Sequence, residues 1–176
     1  VDDSVGECFD KVARVLGLNY PGGPEVDKLA KEGQNVVKFN YKPPLKDSFD
    51  FSFSGLKTAV VNFVHNKEQK NEKFSRADVA CSFQEIVTDE LTHKALKACE
   101  KFGFKKLVIA GGVGANSRLR EKLQESCEKM GVSLFMPVLK YCTDNAGMIG
   151  AIAYYYLKAG KGLADLTLTA KPTVEI

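Results

Sequence analysis

The stretch that decides the fold is residues 108–121, VIAGGVGANSRLRE, where an apolar run passes through glycines into a helical pattern. Gly111, Gly112 and Gly114 allow a tight turn between a strand and a helix at little steric cost. The same glycines let a ligand approach the backbone, next to a helix N-terminus that attracts anions such as phosphate. The residues alone leave the structural and the ligand-binding interpretation open.

The sequence after this turn predicts an α/β unit. The segment KKLVIAGG reads as a strand, SRLREKLQESCEKMG as a helix, SLFMPV as a strand and TDNAGMIGAIAYYYLKAG as a final apolar helix, followed by an extended tail. Strands that alternate with helices in this order are parallel. We expect Asn116 or Ser117 to cap the first of these helices and Thr143 or Asp144 to cap the second.

The sequence before the turn is mainly helical in pattern. Apolar spacing predicts a helix over 3–17 and a long helix over about 76–102, and Pro24 suits the first position of another helix. Two short extended runs, VVKFN and FDFSF, lie within 36–53, and Ser54 is expected to cap a helix that reaches about Asn66. We expect residues 1–75 to form a mainly helical insertion and residues 76–176 an α/β core.

The composition is that of an ordinary globular protein. The 176 residues are 44% hydrophobic and 27% charged. The net charge of +3 is too small to indicate a nucleic-acid partner and does not exclude one. Five cysteines without a CxxC pair indicate a reducing compartment. With no apolar run long enough for a membrane and no signal-peptide pattern, we expect a cytoplasmic protein. A start without Met, already in a helical pattern, suggests a fragment of a longer chain.

Several polar residues lie where ligands bind in α/β proteins, and each also has a purely structural interpretation. Asp144 follows the second strand, where a carboxylate can hold a cation or simply cap a helix. Arg118 and Arg120 oppose the dipole of their helix, so they either meet an anion or are solvated. Asp10 and Asp27 can accept hydrogen bonds from ribose hydroxyls or be solvated acids.

Hydrolytic chemistry has little support in the sequence. The two histidines, His65 and His93, are isolated on helical segments, and no HExxH pair suits zinc. A GxSxG nucleophile motif, a P-loop and a G-x-G-x-x-G fingerprint are also absent from the sequence.

Five segments, taken together and in this order, resemble the TsaD-like family, which transfers a threonylcarbamoyl group onto tRNA and was formerly labelled O-sialoglycoprotein endopeptidase. They are GECFDKVARVLGLNYPGGP, FDFSFSGLKT, ADVACSFQEIV, LVIAGGVGANSRLR and CTDNAGMIG, and the resemblance covers the C-terminal half of that family. It implies one lobe of an actin-like, sugar-kinase-like (ribonuclease H-like) α/β ATPase fold with a helical insertion. The implied reaction moves threonylcarbamoyl from its adenylate to the exocyclic amine of the adenosine next to the anticodon.

The resemblance also implies the site residues. By motif, the nucleotide- and substrate-binding positions are Asp10, Gly23, Asp27, Gly111, Gly112 and Asn116, and Asp144 is a metal ligand. The implied cofactors are one iron or zinc ion and ATP or threonylcarbamoyl adenylate with magnesium. The implied partners are tRNA, a paralogous actin-like subunit, a small ATPase of the same pathway and the N-terminal lobe.

The family's HxxxH metal motif belongs to the N-terminal half, and nothing in this sequence replaces it. We therefore expect an incomplete metal site and no activity from this chain alone. Two alternatives stay open, namely the metal-dependent endopeptidase of the older family label and a non-catalytic lobe that binds nucleotide and docks partners.

Overall fold

The computed structural model describes residues 3–45, 48–161, 165, 167 and 169. Its helices and strands follow the chain in the order α1 (Val5–Val15), α2 (Gly22–Ala30), α3 (Ser54–Gln69), α4 (Arg76–Phe102), β1 (Lys106–Val108), α5 (Ser117–Met130), β2 (Ser133–Phe135) and α6 (Ala146–Lys158), with short 3₁₀ turns at Gly112–Ala115 and Leu139–Tyr141.

The main core lies among α1, α2, α3 and α4. Each helix presents apolar residues at helical spacing on one face, and these faces meet. Phe9 of α1 and Phe83 of α4 lie at its centre, with ring centroids 5.0 Å apart in an edge-to-face arrangement. Such packing fixes the position of α1 and α2 on α4, because close-packed interiors tolerate little displacement.

The β1–α5–β2 segment forms the α/β unit that the sequence predicts. The two strands pair in parallel, with Leu107 opposite Leu134, and α5 is the crossover between them. A second apolar cluster joins the unit to the end of α4 through Leu96, Cys99, Cys127 and Val132, and Leu107 and Leu134 pack against it. The carboxyl ends of both strands therefore lie on one edge, followed by residues 109–116 and 136–142.

The two extended runs predicted within 36–53 form no paired strand in the described residues. Two local predictions were wrong. Ser54 is the first helical residue of α3, and Phe53 takes the cap position without a side-chain cap. Pro24 is the third residue of α2 rather than the first. It is still accommodated, because the first four N–H groups of a helix lack intrahelical partners.

The chain divides into two compact units, Val1–Cys142 and Thr143–Ile176. The first contains α1 to α5 and both strands. In the second, α6 begins at Asn145, whose side chain accepts a hydrogen bond from the Met148 N–H, so the predicted cap at Thr143 or Asp144 was wrong. The proposed domain boundary at residue 75 stays a prediction. Most of the expected extended tail falls outside the described residues.

None of the helices in the described part of the chain is both long enough and apolar enough to span a bilayer.

Candidate functional site

The glycine turn after β1 has open space beside its backbone. Gly111 has a φ of 85°, a conformation that L side chains rarely adopt, so the turn itself requires glycine there. A Cβ built at Gly111 or Gly112 would meet no other atom within 4 Å. Close packing of the turn therefore does not explain why residue 112 is a glycine. Room for a ligand remains a possible explanation.

Asn116 ends the turn and caps α5. Its side-chain oxygen accepts a hydrogen bond from the Leu119 N–H at 2.9 Å, and its Nδ2 donates to Gln84 Oε1 at 2.8 Å. The residue is only 8% exposed. An amide has two donors and two acceptor lone pairs, so one of each remains for a ligand. The structural interpretation of Asn116 as a cap is thus confirmed, and its nucleoside contact stays a prediction.

Asp27 reaches from α2 to the start of α5. Its two carboxylate oxygens accept hydrogen bonds from the Ser117 hydroxyl at 2.8 Å and from the Ser117 N–H at 3.3 Å. A carboxylate at a helix N-terminus is favourable because it faces the positive end of the dipole. The anion at this helix start is therefore the protein's own Asp27, and its spare lone pairs remain for a ligand hydroxyl.

Asp10 of α1 holds the start of α2. One of its oxygens accepts the Gly22 N–H at 2.8 Å, while the other takes no hydrogen bond from the described part of the chain. A Cβ at Gly22 would come within 2.6 Å of the Ala13 Cβ and 2.7 Å of the Asp10 Cα, so close helix packing explains this glycine. A Cβ at Gly23 would meet nothing within 4 Å, so packing does not explain Gly23.

A cleft of about 310 Å³ opens beside Asp10. Motif reasoning identified Asp10 but missed most of the other walls, since they combine one helical face with the following turn. The aromatic ring of Tyr20 is 84% exposed there. The lining residues are Glu7, Asp10, Lys11, Arg14, Leu18, Asn19, Tyr20 and Gly22.

The elements that carry the predicted nucleotide residues meet in the first unit. Asp10 bonds α2, Asp27 bonds the start of α5, and a Cβ at Gly6 of α1 would lie 4.0 Å from Val113 of the glycine turn. The six predicted nucleotide-binding residues therefore lie on segments that contact one another; they are Asp10, Gly23, Asp27, Gly111, Gly112 and Asn116. Asp144 belongs to the second unit, where it is exposed.

The two arginines after the turn have partners inside the protein. Arg118 forms a forked pair with Glu85 of α4 and a second pair with Glu121, and Lys122 also binds Glu85 at 2.8 Å. The guanidinium of Arg120 donates to the carbonyls of Gly114 and Pro137, which ties together the loops that follow β1 and β2. The sequence predicted that these arginines either meet a bound anion or are solvated. Instead, both bind groups of the protein itself.

The Glu85 cluster makes stability depend on pH. Burial disfavours the charged form of Glu85, but hydrogen bonds from Arg118 and Lys122 outweigh this and lower its pKa. A lowered folded-state pKa contributes stability above the unfolded-state pKa, roughly 4.3, and that stability is lost as the pH falls through the folded-state value. The acid side of the stability curve therefore reports on this cluster.

We expect Glu85→Gln to lower the free energy of unfolding by about 1–2 kcal/mol at pH 7, because two cations lose a charged partner. The difference from the wild type should shrink as the pH falls below about 4.3 and folded wild-type Glu85 becomes protonated. Urea denaturation from neutral pH to below that value measures both effects. Glu121→Gln is the control, since Glu121 is 57% exposed and its pair should matter little. A pH-independent difference for Glu85→Gln would contradict the assignment.

The described residues do not form a metal site by themselves. No group of three or more histidine, cysteine or acidic side chains in this part of the chain is placed to hold an ion. His65 and His93 are both exposed. One carboxylate, Asp144, does not make a site, so neither the implied ion nor metal-dependent hydrolysis gains support from this geometry.

The same family appears in comparisons with curated proteins. Two Staphylococcus aureus proteins, from strains Newman and USA300, are each named tRNA N6-adenosine threonylcarbamoyltransferase and are 49% identical to this chain over 175 residues. Each match covers 99% of this chain and 51% of the relative. The chain thus spans about half the length of the curated relatives it matches.

Two crystal structures share the fold at low sequence identity. HypF from T. kodakarensis aligns with 89% of this chain and 20% of its own at a TM-score of 0.59 and 21% identity. A full-length HypF in a phosphate- and nucleotide-bound form aligns with 90% of this chain and 21% of its own at a TM-score of 0.64 and 18% identity. The prediction of an actin-like α/β ATPase lobe is confirmed. Residues 1–151 match the TsaD family, tRNA N6-adenosine threonylcarbamoyltransferase, and the chain belongs to that family.

Proposed function

We propose that this chain is the C-terminal lobe of an enzyme that transfers threonylcarbamoyl from its adenylate to the adenosine next to the tRNA anticodon. In this reaction the exocyclic amine attacks the carbamoyl carbon, AMP leaves and the amine loses one proton. Family membership and the names of the S. aureus relatives support the proposal. Since the chain spans half of those relatives, we expect it to be inactive without the N-terminal lobe.

Within this lobe we propose a nucleoside site formed by Asp10, Gly23, Asp27, Gly111, Gly112 and Asn116. The free oxygen of Asp10 and the spare lone pairs of Asp27 would accept ribose hydroxyls. The open backbone at the three glycines would admit the nucleotide, and the remaining donor of Asn116 would bond it. The nucleotide present in one HypF structure supports a nucleotide ligand for this fold.

The observation that carries this proposal is the empty space at Gly23. Glycine inside a helix lowers stability by roughly 0.5–1 kcal/mol relative to alanine, so a helical glycine needs a reason. Gly22 has one, because a Cβ there would collide with α1. A Cβ at Gly23 would meet no atom within 4 Å beyond its chain neighbours, so only Pro24, which disfavours a side chain in the helical conformation just before it, gives a local reason for this glycine. Close approach of a ligand would be a second reason, and a binding experiment distinguishes the two.

Gly23→Ala should separate folding from binding. We expect its free energy of unfolding to change by no more than about 1 kcal/mol, because the gain from replacing glycine is offset by the strain of a side chain before Pro24. Affinity for ATP should fall at least tenfold, because the new methyl group would occupy ligand space. Thermal unfolding and calorimetric titration of the full-length protein with ATP and magnesium measure the two effects. Gly150→Ala in α6 is the matched control, since its position is also open. Unchanged ATP affinity in Gly23→Ala would refute the site.

We further propose that Asp144 contributes one ligand to an iron or zinc ion whose other ligands come from the N-terminal half. The implied partners, a paralogous actin-like subunit and a small ATPase, remain part of the proposal, as does magnesium with the nucleotide. Five free cysteines fit the reducing cytoplasm as the place of action.

A further inference from the structure

The end of α4 carries exposed aromatic rings interleaved with lysines. Phe102 is 56% exposed and Phe104 is 60% exposed. Their ring centroids are 6.1 Å apart, and Phe49 lies 5.6 Å from Phe102. Lys101 Nζ lies over two of these rings, 5.1 Å from the centroid of Phe49 and 5.6 Å from that of Phe102. We call Phe49, Lys101, Phe102, Phe104, Lys105 and Lys106 the aromatic–lysine patch.

Positive charge is concentrated in and beside this patch. Residues 97–106, which add Lys97 and Glu100 to the patch lysines, contain four lysines and one glutamate, a net charge of +3 that equals the net charge of the whole chain. None of these four lysines forms an ion pair within the described part of the chain. The charge is therefore available to an external partner.

Helix physics explains only part of the patch. Lys101 lies in the last turn of α4, where a cation faces the negative end of the dipole. Lys105 and Lys106 lie beyond the helix, so the dipole does not account for them. Single exposed apolar residues are ordinary. Here Phe102 contacts both Phe49 and Phe104, and two of the three rings are more than half exposed, which is typical of an interaction surface.

We propose that the aromatic–lysine patch binds RNA, with the lysines contacting phosphates and the phenylalanine rings stacking on unpaired bases. Rings and cations in one surface are the combination that binds nucleic acid, whereas lysine is depleted in protein–protein interfaces. The inference rests on the proposed function, which supplies tRNA as the RNA. Phe102 lies about 27 Å along α4 from Gln84, the partner of Asn116, so the patch is separate from the nucleoside site.

The test uses the full-length protein and an unmodified tRNA transcript with adenosine next to the anticodon, measured by fluorescence anisotropy over a range of salt concentrations. Lys105→Ala with Lys106→Ala should weaken binding and make the slope of log K against log salt shallower by about 1.4–1.8, because two phosphate contacts are lost. Phe102→Ser with Phe104→Ser should weaken binding at least about fivefold with an unchanged slope, because stacking is insensitive to salt.

Matched controls carry the same changes elsewhere. Lys70→Ala with Lys73→Ala removes two exposed lysines, and Tyr154→Ser with Tyr156→Ser removes two exposed rings. A fully paired RNA duplex provides phosphates without unpaired bases, so its binding should respond to the lysine variant and not to the phenylalanine variant.

The outcomes separate this inference from the proposed function. Patch variants that bind tRNA like the control variants would overturn the patch and leave the transferase proposal standing, with a protein as the remaining occupant. A wild-type protein that binds ATP but no tRNA would refute tRNA as the substrate, and the patch as its binding surface. Patch variants should keep the ATP affinity of the wild type, which excludes misfolding as the cause of weaker RNA binding.

Discussion

Asn116→Ala should lower the free energy of unfolding by about 2–4 kcal/mol. Loss of the N-cap of α5 contributes about 1 kcal/mol, and Gln84 Oε1 is left without its donor in a buried place, which costs about 1–3 kcal/mol more. Urea denaturation of the chain measures the sum. Because the substitution weakens the fold around the proposed site, lost ATP binding in this variant would not by itself show a direct contact.

Two comparison variants separate the loss of the helix cap from the loss of the hydrogen bond to Gln84. Asn116→Asp keeps an acceptor for the Leu119 N–H but replaces the donor to Gln84 with a buried carboxylate oxygen, so it should cost at least the Gln84 part of the stability. Asn145→Ala removes the cap of α6 with no buried partner and should cost about 1 kcal/mol. If Asn116→Ala costs no more than Asn145→Ala, the Gln84 contact has no energetic weight and the account of Asn116 is wrong.

Gly33→Ala is expected to cost about 3 kcal/mol or more. A Cβ at Gly33 would lie 2.1 Å from the Ala77 carbonyl oxygen and 2.7 Å from the Asp78 N. These atoms are backbone in the first turn of α4, so no side-chain rotation relieves the collision. The chain must move as a whole, which would also strain the hydrogen bond from the Gln34 N–H to the Asp78 carboxylate at 2.8 Å.

Gly55→Ala, in contrast, should not destabilise the protein. A Cβ there would be 3.5 Å from the Tyr41 ring, an ordinary contact, and Gly55 is the second residue of α3. Alanine should therefore leave stability unchanged or raise it by less than about 1 kcal/mol. Thermal unfolding of both variants under one set of conditions makes the comparison. Equal melting temperatures for the two variants would contradict the packing of residue 33 against α4.

Local patterns predicted the elements whose signals lie within one turn of the chain. The bounds of α4 agree with the predicted 76–102, the order β1–α5–β2 was correct, and Asn116 was one of two candidate caps. Errors arose where neighbouring candidates compete at a helix start. Thr143, Asp144 and Asn145 all suit a cap chemically, and only the backbone geometry selects Asn145.

The sequence by itself determined the family, the α/β order and the residue types at the candidate site, since short motifs and helical spacing carry that information. Only the tertiary structure decided the partners of those residues. Asp27 meets Ser117 across 90 positions, and Arg118 meets Glu85 across 33. Such pairs depend on where α2 and α5 lie on α4. The main core holds α2 there and the second apolar cluster holds α5, so no local pattern reveals these pairs.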